Sequence, residues 1–350
     1  MLKNQAAHVQ FSECSKKIIS AKVFRYLWLD LSKTGFAGPK VAIVGAGAVG
    51  TTFAYSLLIQ GLVSQIIIID VNKERAEGEV MDLNHGMPFA YPVRIWSGDY
   101  HDCKDADIVV IAVDRGQKIE QSRLDLAQGN FEIMKTIVPK ITKYNRDCIL
   151  IVVTNPLDVM TYAALKLSGF PKSRVLGSGT SLDTARLRFL LAEHLQIDPR
   201  NVHAYIIGEH GDSEVPVWSL ANVAGIKLRD YCLACKVPFS ERKFDDLFLK
   251  VKNAGYEIIK RKGRTNYGVA LAVARIVRSI LRNENSVLTV STLLEDYYGV
   301  KNVCLSVPAI LNRKGIKEII KLPLDQKEKD KFRESARIIK NATDSLGVLC

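Results

Sequence analysis

The chain is predicted to be an α/β protein: a doubly wound parallel sheet, followed by an α+β domain. Three observations predict this. Short, wholly apolar runs alternate with helix-length segments between residues 39 and about 155. Buried parallel strands read as continuous apolar runs, and their crossovers need helices. The run Lys40-Val-Ala-Ile-Val enters a turn, Gly45-x-Gly47-x-x-Gly50, that opens a helix. After about residue 178 the texture changes, and helices mix with strand-like pieces without the strand–helix alternation.

The elements follow in order. Strands are expected at 41–44, 66–69, 93–96, 107–113 and 149–153, with helices at 48–60, 73–84 and 123–144. The glycine turn assigns a ligand to this half. Gly45 permits a tight turn, Gly47 lets backbone approach a pyrophosphate, and Gly50 lets helix and strand pack closely. The helix N-terminus offers unpaired N–H groups to the phosphate charge. The next strand ends in Asp70, 20 positions after the last glycine. Its carboxylate would accept hydrogen bonds from a ribose hydroxyl and repel a phosphate there, so NAD is the expected cofactor. The half is therefore Rossmann-type, and the expected division is 39–178 for the NAD-binding domain and 179–350 for the α+β domain. In the second half helices fit 183–195, 241–262 and 269–282, and strands fit 202–207, 287–293 and 302–310. The stretch 325–346 is dense in charge, with Phe332, Ala336 and Ile339 at helical spacing, and reads as a closing surface helix.

Composition bounds the function. Hydrophobic content of 47% and charge of 25% are ordinary for a globular chain of 350 residues. Residues 41–69 carry no charge, but four glycines and several polar residues interrupt them, so a membrane span is not expected. The seven cysteines are scattered and odd in number, and no secretory signal precedes them. Reduced thiols in a cytoplasmic setting follow. Cys232-x-x-Cys235 has no second pair or spaced histidines, so no metal site is assigned. The net charge of +12 suits anionic small molecules. No nucleic-acid module accompanies it. Residues 1–38 hold six Lys or Arg and two acids. A transit segment, a subunit-packing arm and an unfolded leader stay open for them.

Three clusters carry chemistry. Thr154-Asn155-Pro156 follows an apolar strand, so Asn155 lies at the ligand-facing end of the sheet or caps the next helix. Asp183 and Arg186 lie three apart, on one helical face. His210 sits in Gly208-Glu-His-Gly-Asp-Ser213 after an apolar strand. A loop histidine titrating near neutrality suits proton transfer to a carbonyl oxygen, and a carboxylate such as Asp183 would orient it.

These clusters, with Gln117-Lys118, Ser122-Arg123-Leu-Asp-Leu and Lys262-Gly-x-Thr265, occur in an order that resembles the L-lactate dehydrogenase family of the lactate/malate dehydrogenase superfamily. The resemblance covers about residues 39–345. It implies reversible hydride transfer between NADH and pyruvate, with L-lactate as the product. It implies His210 as proton donor, Asp183 as its holder, and Arg186 as a bidentate partner of the substrate carboxylate. Arg123 would close over the site on a mobile loop and polarise the carbonyl, and Asn155 would touch the substrate. Gln117 takes the specificity position, where a neutral amide offers no partner to a second carboxylate, and Thr265 flanks the methyl. Val49, Asn130 and Asn155 join Gly45, Gly47, Gly50 and Asp70 as cofactor contacts. Arg188 and His203 coincide with residues that bind fructose 1,6-bisphosphate in many bacterial members, and a homotetramer is implied.

The chain also departs from the family. Asp114 stands where a glycine is usual, and a carboxylate beside the pyrophosphate predicts weaker NADH binding. Ile119, Glu120 and Gln121 alter the mobile loop. Two other readings compete: a dehydrogenase for malate or a bulkier 2-hydroxy acid, and a weakly catalytic NAD-binding protein that kept the fold.

Overall fold

Strand β1 (Lys40–Val44) shows how the fold is assembled. Its side chains alternate between two faces. Val41 and Ile43 enter one apolar layer, and Ala42 and Val44 enter another. The computed structural model describes residues 38–114 and 123–347, with the side chains of 123–126 outside the description. Residues 1–37, including nearly all of the basic N-terminal segment, and Gln117 with the altered positions 119–121 lie outside the described residues.

Around β1 lie β2 (Gln65–Ile69), β3 (Arg94–Ser97), β4 (Ile108–Ile111), β5 (Ile149–Val152) and β6 (Val175–Gly177). All pair in parallel, in the order β3-β2-β1-β4-β5-β6. The order reverses between β1 and β4, and ligands bind at such a switch point outside the carboxyl ends of the strands. The crossovers include α1 (Ala48–Gln60), α2 (Lys73–His85), α3 (Arg123–Tyr144) and α4 (Leu157–Ser168).

The second half contains α5 (Ser181–Leu195), α6 (Leu228–Ala234), α7 (Glu241–Lys262), α8 (Tyr267–Leu281) and α9 (Gln326–Ser345). Its short strands are β7 (Val202–His203), β8 (Ile206–Ile207), β9 (Val215–Pro216), β10 (Asn222–Val223) and β11 (Ile226–Lys227). Its long ones are β12 (Ser286–Leu294), β13 (Val303–Asn312) and β14 (Gly315–Ile319). These long strands extend the same sheet: β12 joins β6 antiparallel at Ser291 and Gly177, and β13 and β14 follow. Among the described residues the sheet thus has nine strands, and it runs through residue 178 into the second half.

Two layers cover it. Phe53 and Leu57 of α1 and Val273 and Ile276 of α8 pack on one face, with Ile66, Ile68 and Ile108. Met134 and Val138 of α3 and Met160 of α4 pack on the other, with Ile67, Ile69 and Val109. A third cluster joins α5, α6 and α7 through Leu187, Leu191, Cys232 and Leu247.

The structure corrects one expected strand. Residues 202–207 form two short strands in different sheets, because β7 pairs with β10 and β8 with β9. The backbone of Ile206 is diverted into side-chain bonds from the start of α5. Its N–H donates to Thr184 Oγ1 at 3.0 Å, and its carbonyl accepts from Thr180 Oγ1 at 2.5 Å. The closing helix behaves as expected. Asp325 and Glu328 form a reciprocal cap, and Phe332, Ala336 and Ile339 are buried.

Candidate active site

The glycine turn is built by close approach. Gly45 has a φ of +113°, and a Cβ on it would lie 2.5 Å from the carbonyl oxygen of Ala112, just past the end of β4. A Cβ on Gly50 would lie 2.0 Å from the carbonyl oxygen of Gly45, so only hydrogen fits there. A Cβ on Gly47 would meet nothing within 4 Å. That open space lies at the N-cap of α1, where no side chain caps the helix and no acid occupies the first turn. Val49 lies in that first turn. Unpaired N–H groups beside open space fit an anionic pyrophosphate. Asp70 accepts from the backbone N–H of Ala46 at 2.7 Å and of Asn72 at 2.9 Å. Its carboxylate is therefore fixed beside the turn, at the end of β2.

Asn155 and Asn130 meet at the next strand end. The Asn130 amide is fully buried on α3 and donates to the Asn155 carbonyl oxygen at 2.7 Å. It also donates to Asp114 Oδ1 at 3.4 Å, which places that carboxylate at the end of β4, over the buried amide. The side chain of Asn155 is exposed and does not cap α4; Pro156 takes the N-cap position.

The histidine loop is held from several sides. Gly208 and Ser306 exchange two backbone hydrogen bonds of 2.9 Å, tying the loop to β13. Glu209 Oε2 accepts from the Ser213 N–H at 2.9 Å, and the Glu209 N–H donates to Ser335 Oγ at 2.8 Å. The backbone N–H of His210 donates to Asp158 Oδ2 at 2.8 Å.

This frame brings His210 to Asp183. His210 Nδ1 lies 2.5 Å from Asp183 Oδ2, and the Arg186 guanidinium donates to Asp183 Oδ1 at 2.7 Å. Each oxygen of one buried carboxylate thus serves a different cation. Asp183 is 4% exposed, His210 25% and Arg186 19%. With Nδ1 assigned to the carboxylate, Nε2 is left to face a ligand. Burial by itself would push the imidazolium down. The charge and hydrogen bond of Asp183, aided by Asp158 and Glu214, overcome that and raise His210 to about 9. Burial likewise opposes ionisation of Asp183, but His210 and Arg186 hold it below the usual carboxylate range.

Two acids in the site escaped the sequence reading. Asp158 lies in the first turn of α4 and is buried, and Ser291 Oγ donates to its Oδ1 at 2.6 Å. Burial raises its pKa to about 7, against the hydrogen bonds from Ser291 and His210. In sequence it is an acid amid Leu157, Val159 and Met160, which reads as a helix-start acid. Glu214 lies at the end of the histidine loop, and burial together with Asp183 raises it to about 8. The signal for Asp158 was an acid flanked by apolar residues; Glu214, between Ser213 and Val215, gave none.

The other expected residues are dispersed. Thr265 is half-buried in the link between α7 and α8, beside Asn266, whose amide donates to Thr52 Oγ1 of α1 at 2.9 Å. Arg123 begins α3, its side chain outside the described residues. Arg188 Nε donates to the Ala204 carbonyl oxygen at 3.0 Å, and its guanidinium faces the Tyr205 ring at 5.2 Å. His203 is exposed on β7, one residue from that carbonyl. Cys232 is buried and Cys235 exposed at the end of α6, and both are free thiols. Among the described residues no His, Cys, Asp and Glu cluster could hold a metal. Among them no helix is long and apolar enough to cross a membrane.

Comparison with known proteins agrees with this geometry. A model of the lactate/malate dehydrogenase NAD binding domain matches residues 39–177, and one of the lactate/malate dehydrogenase alpha/beta C-terminal domain matches residues 180–346. An L-lactate dehydrogenase of Acetivibrio thermocellus is 55% identical over 309 residues, covering 88% of this chain and 98% of that protein. L-lactate dehydrogenase 1 of Clostridium acetobutylicum is 52% identical over 308 residues, with the same coverage. Among solved structures, a minor L-lactate dehydrogenase from Enterococcus mundtii superposes with a TM-score of 0.85 at 44% identity, covering 88% of this chain and 98% of that one.

Proposed function

We infer the reaction from a premise the comparisons establish: the chain belongs to the lactate/malate dehydrogenase family, and its activity is that of an NAD-dependent L-lactate dehydrogenase. The observation that carries the roles of the residues is the shared Asp183 carboxylate, with His210 on one oxygen and Arg186 on the other. Arg186 receives the carboxylate of pyruvate, since a planar guanidinium matches it with two parallel donors. His210, held charged by Asp183, gives its Nε2 proton to the ketone oxygen. Asp183 keeps the ring oriented and stays ionised throughout. Bound NADH supplies the hydride, with Gly45, Gly47, Val49, Gly50, Asp70, Asn130 and Asn155 around the cofactor. Arg123 closes over the ketone, and Gln117 and Thr265 shape the pocket around the methyl. Following NADH absorbance with pyruvate, oxaloacetate and a branched 2-oxo acid tests this. Pyruvate is preferred, and preference for oxaloacetate or the branched acid refutes the assignment at Gln117. The malate alternative is also disfavoured by relatives at about 50% identity that carry the lactate name.

The coarser features extend this reading. Residues 39–178 bind NAD and residues 179–350 supply the acid–base groups. The protein works in the cytoplasm as a homotetramer, a state supported by exposed apolar side chains such as Tyr55, Ile59, Tyr267 and Leu271. Arg188 and His203 receive fructose 1,6-bisphosphate as an activator. Titrating the bisphosphate at low pyruvate checks this, and an unchanged rate and apparent pyruvate affinity would sink it.

A further inference from the structure

Among the described residues, one buried side-chain polar atom has no hydrogen-bond partner: Oε1 of Glu214. Glu214 is 7% exposed. An unmet buried carboxyl oxygen is destabilising, and more so if it is charged. The backbone leaves the side chain little choice of place. The Glu214 N–H donates to the Gly211 carbonyl oxygen at 3.2 Å, closing the turn that follows His210. Val215 then pairs with Ile207 in the β8–β9 ribbon. The acid is thus carried into the buried cluster by the same loop that positions the proton donor.

The groups that act on it come from three elements. Asp183 and Arg186 belong to α5, His210 to its own loop, and Lys252 to α7. Burial and the Asp183 charge favour the protonated acid, whereas His210, Arg186 and Lys252 favour the anion. Here three acids (Asp158, Asp183, Glu214) meet three cations (His210, Arg186, Lys252). With all six ionised the cluster is balanced, and a substrate carboxylate would leave one excess negative charge. In a buried site such an excess is strongly opposed.

We propose that Glu214 is a positioning residue that must carry a proton when the 2-oxo acid is bound, so that substrate binding draws a proton from solvent onto its unpartnered oxygen. The inference rests on the reading of Arg186 and His210 as the 2-oxo acid site. Glu214 acts through the charge of the His210–Asp183–Arg186 unit and leaves the reacting atoms to them. Its neutral form lets that unit keep a net positive charge for the incoming carboxylate. Above its titration range the substrate must first meet an added negative charge.

The probe is oxamate, an amide analogue of pyruvate that does not accept hydride, bound to the full chain loaded with NADH. Affinity is measured from pH 6.5 to 9, and proton uptake by calorimetry in buffers of different ionisation enthalpy. A carboxyl titrating near 8 imposes about a tenfold loss of affinity at pH 9. E214Q should remove that tenfold part and lower proton uptake at pH 8.5, while the dependence due to His210 stays. An unchanged pH profile and uptake in E214Q overturns the proposal. Should E214Q fail to fold, the infrared difference spectrum of the wild-type chain decides: oxamate binding at pH 8.5 should raise a protonated-carboxyl stretch that survives D158N. No such band, or one lost in D158N, overturns it. Absence of oxamate binding at every pH refutes the site reading itself, and the inference with it.

Discussion

The dinucleotide turn and the His210–Asp183–Arg186 cluster are built on opposite terms. At the cofactor turn the working feature is missing side chains: Gly45 and Gly50 are packed so closely that a Cβ would overlap a carbonyl oxygen, and Gly47 faces open space. At the substrate end the working feature is crowded charge, with His210, Asp183, Arg186, Asp158 and Glu214 drawn together from three elements. One end depends on steric room and free backbone N–H groups. The other depends on which buried groups hold protons. Substitutions should therefore separate cleanly, with geometry failing at one end and proton inventory at the other.

The sharpest break is at His210, the proposed proton donor. H210Q should lower kcat/KM for pyruvate by about 10²–10⁴-fold and leave NADH affinity within about twofold. A comparable loss of NADH affinity, read by fluorescence titration, would mean that the two ends are not separate.

D183N comes next, with a loss of about 10²-fold or more in kcat/KM, and it also moves the pH profile. His210 is raised from its ordinary 6.5 to about 9, chiefly by Asp183 working against burial. Pyruvate reduction should therefore hold through neutral pH and fall above about 9. In D183N the break should move to lower pH. The same shift has a stability sign. A raised imidazole stabilises the fold fully below its unfolded value and loses that contribution as pH rises through about 9. The lowered Asp183 contributes above its unfolded value, and its part is lost in acid. Urea midpoints across pH, wild type against D183N, read both limbs.

At the other end, G50A should cost about 2–3 kcal/mol of stability, because a Cβ 2.0 Å from a backbone oxygen forces α1 away from β1. G47A should fold within about 1 kcal/mol of wild type and still lose about tenfold in NADH affinity. Its new methyl would enter the space that the pyrophosphate needs. Equal stability losses in G47A and G50A would remove the distinction drawn between those glycines.

The smallest expected effect is D114G. The carboxylate lies over the Asn130 amide at the end of β4, and removing it should tighten NADH a few-fold, by about 0.5–1 kcal/mol. Unchanged affinity in a titration refutes that assignment.

Much of this was legible in the chain. The apolar runs and the glycine spacing place the sheet and the dinucleotide turn, since strand, turn and helix are consecutive, although the group that closes on Gly45 is Ala112, far along the chain. His210, Asp183 and Arg186 were legible as candidates, yet their union was not. His210 and Asp183 are 27 positions apart, and only the return of β8 beside α5 brings Nδ1 to the carboxylate. Asp158 was missed because an acid in an apolar stretch looks the same whether it caps a helix or faces a buried cluster, and Glu214 because it follows the polar run Gly211-Asp-Ser213, which reads as exposed loop. The broken strand at 202–207 was missed for a similar reason. Thr180 and Thr184 divert the Ile206 backbone, and neither is adjacent to it in sequence.

The sequence alone determined the α/β class and the dinucleotide turn, because periodicity and short-range stereochemistry carry those features, and its resemblance to the family marked His210, Asp183 and Arg186 as candidates. Tertiary structure alone decided that one sheet of nine strands runs through both halves, and that one carboxylate serves two cations. It also decided that Glu214 is buried with its Oε1 lacking a hydrogen-bond partner. The physical reason is distance along the chain. Burial and charge are sums over groups that only folding brings together, so the protonation state of this site is a property of the fold.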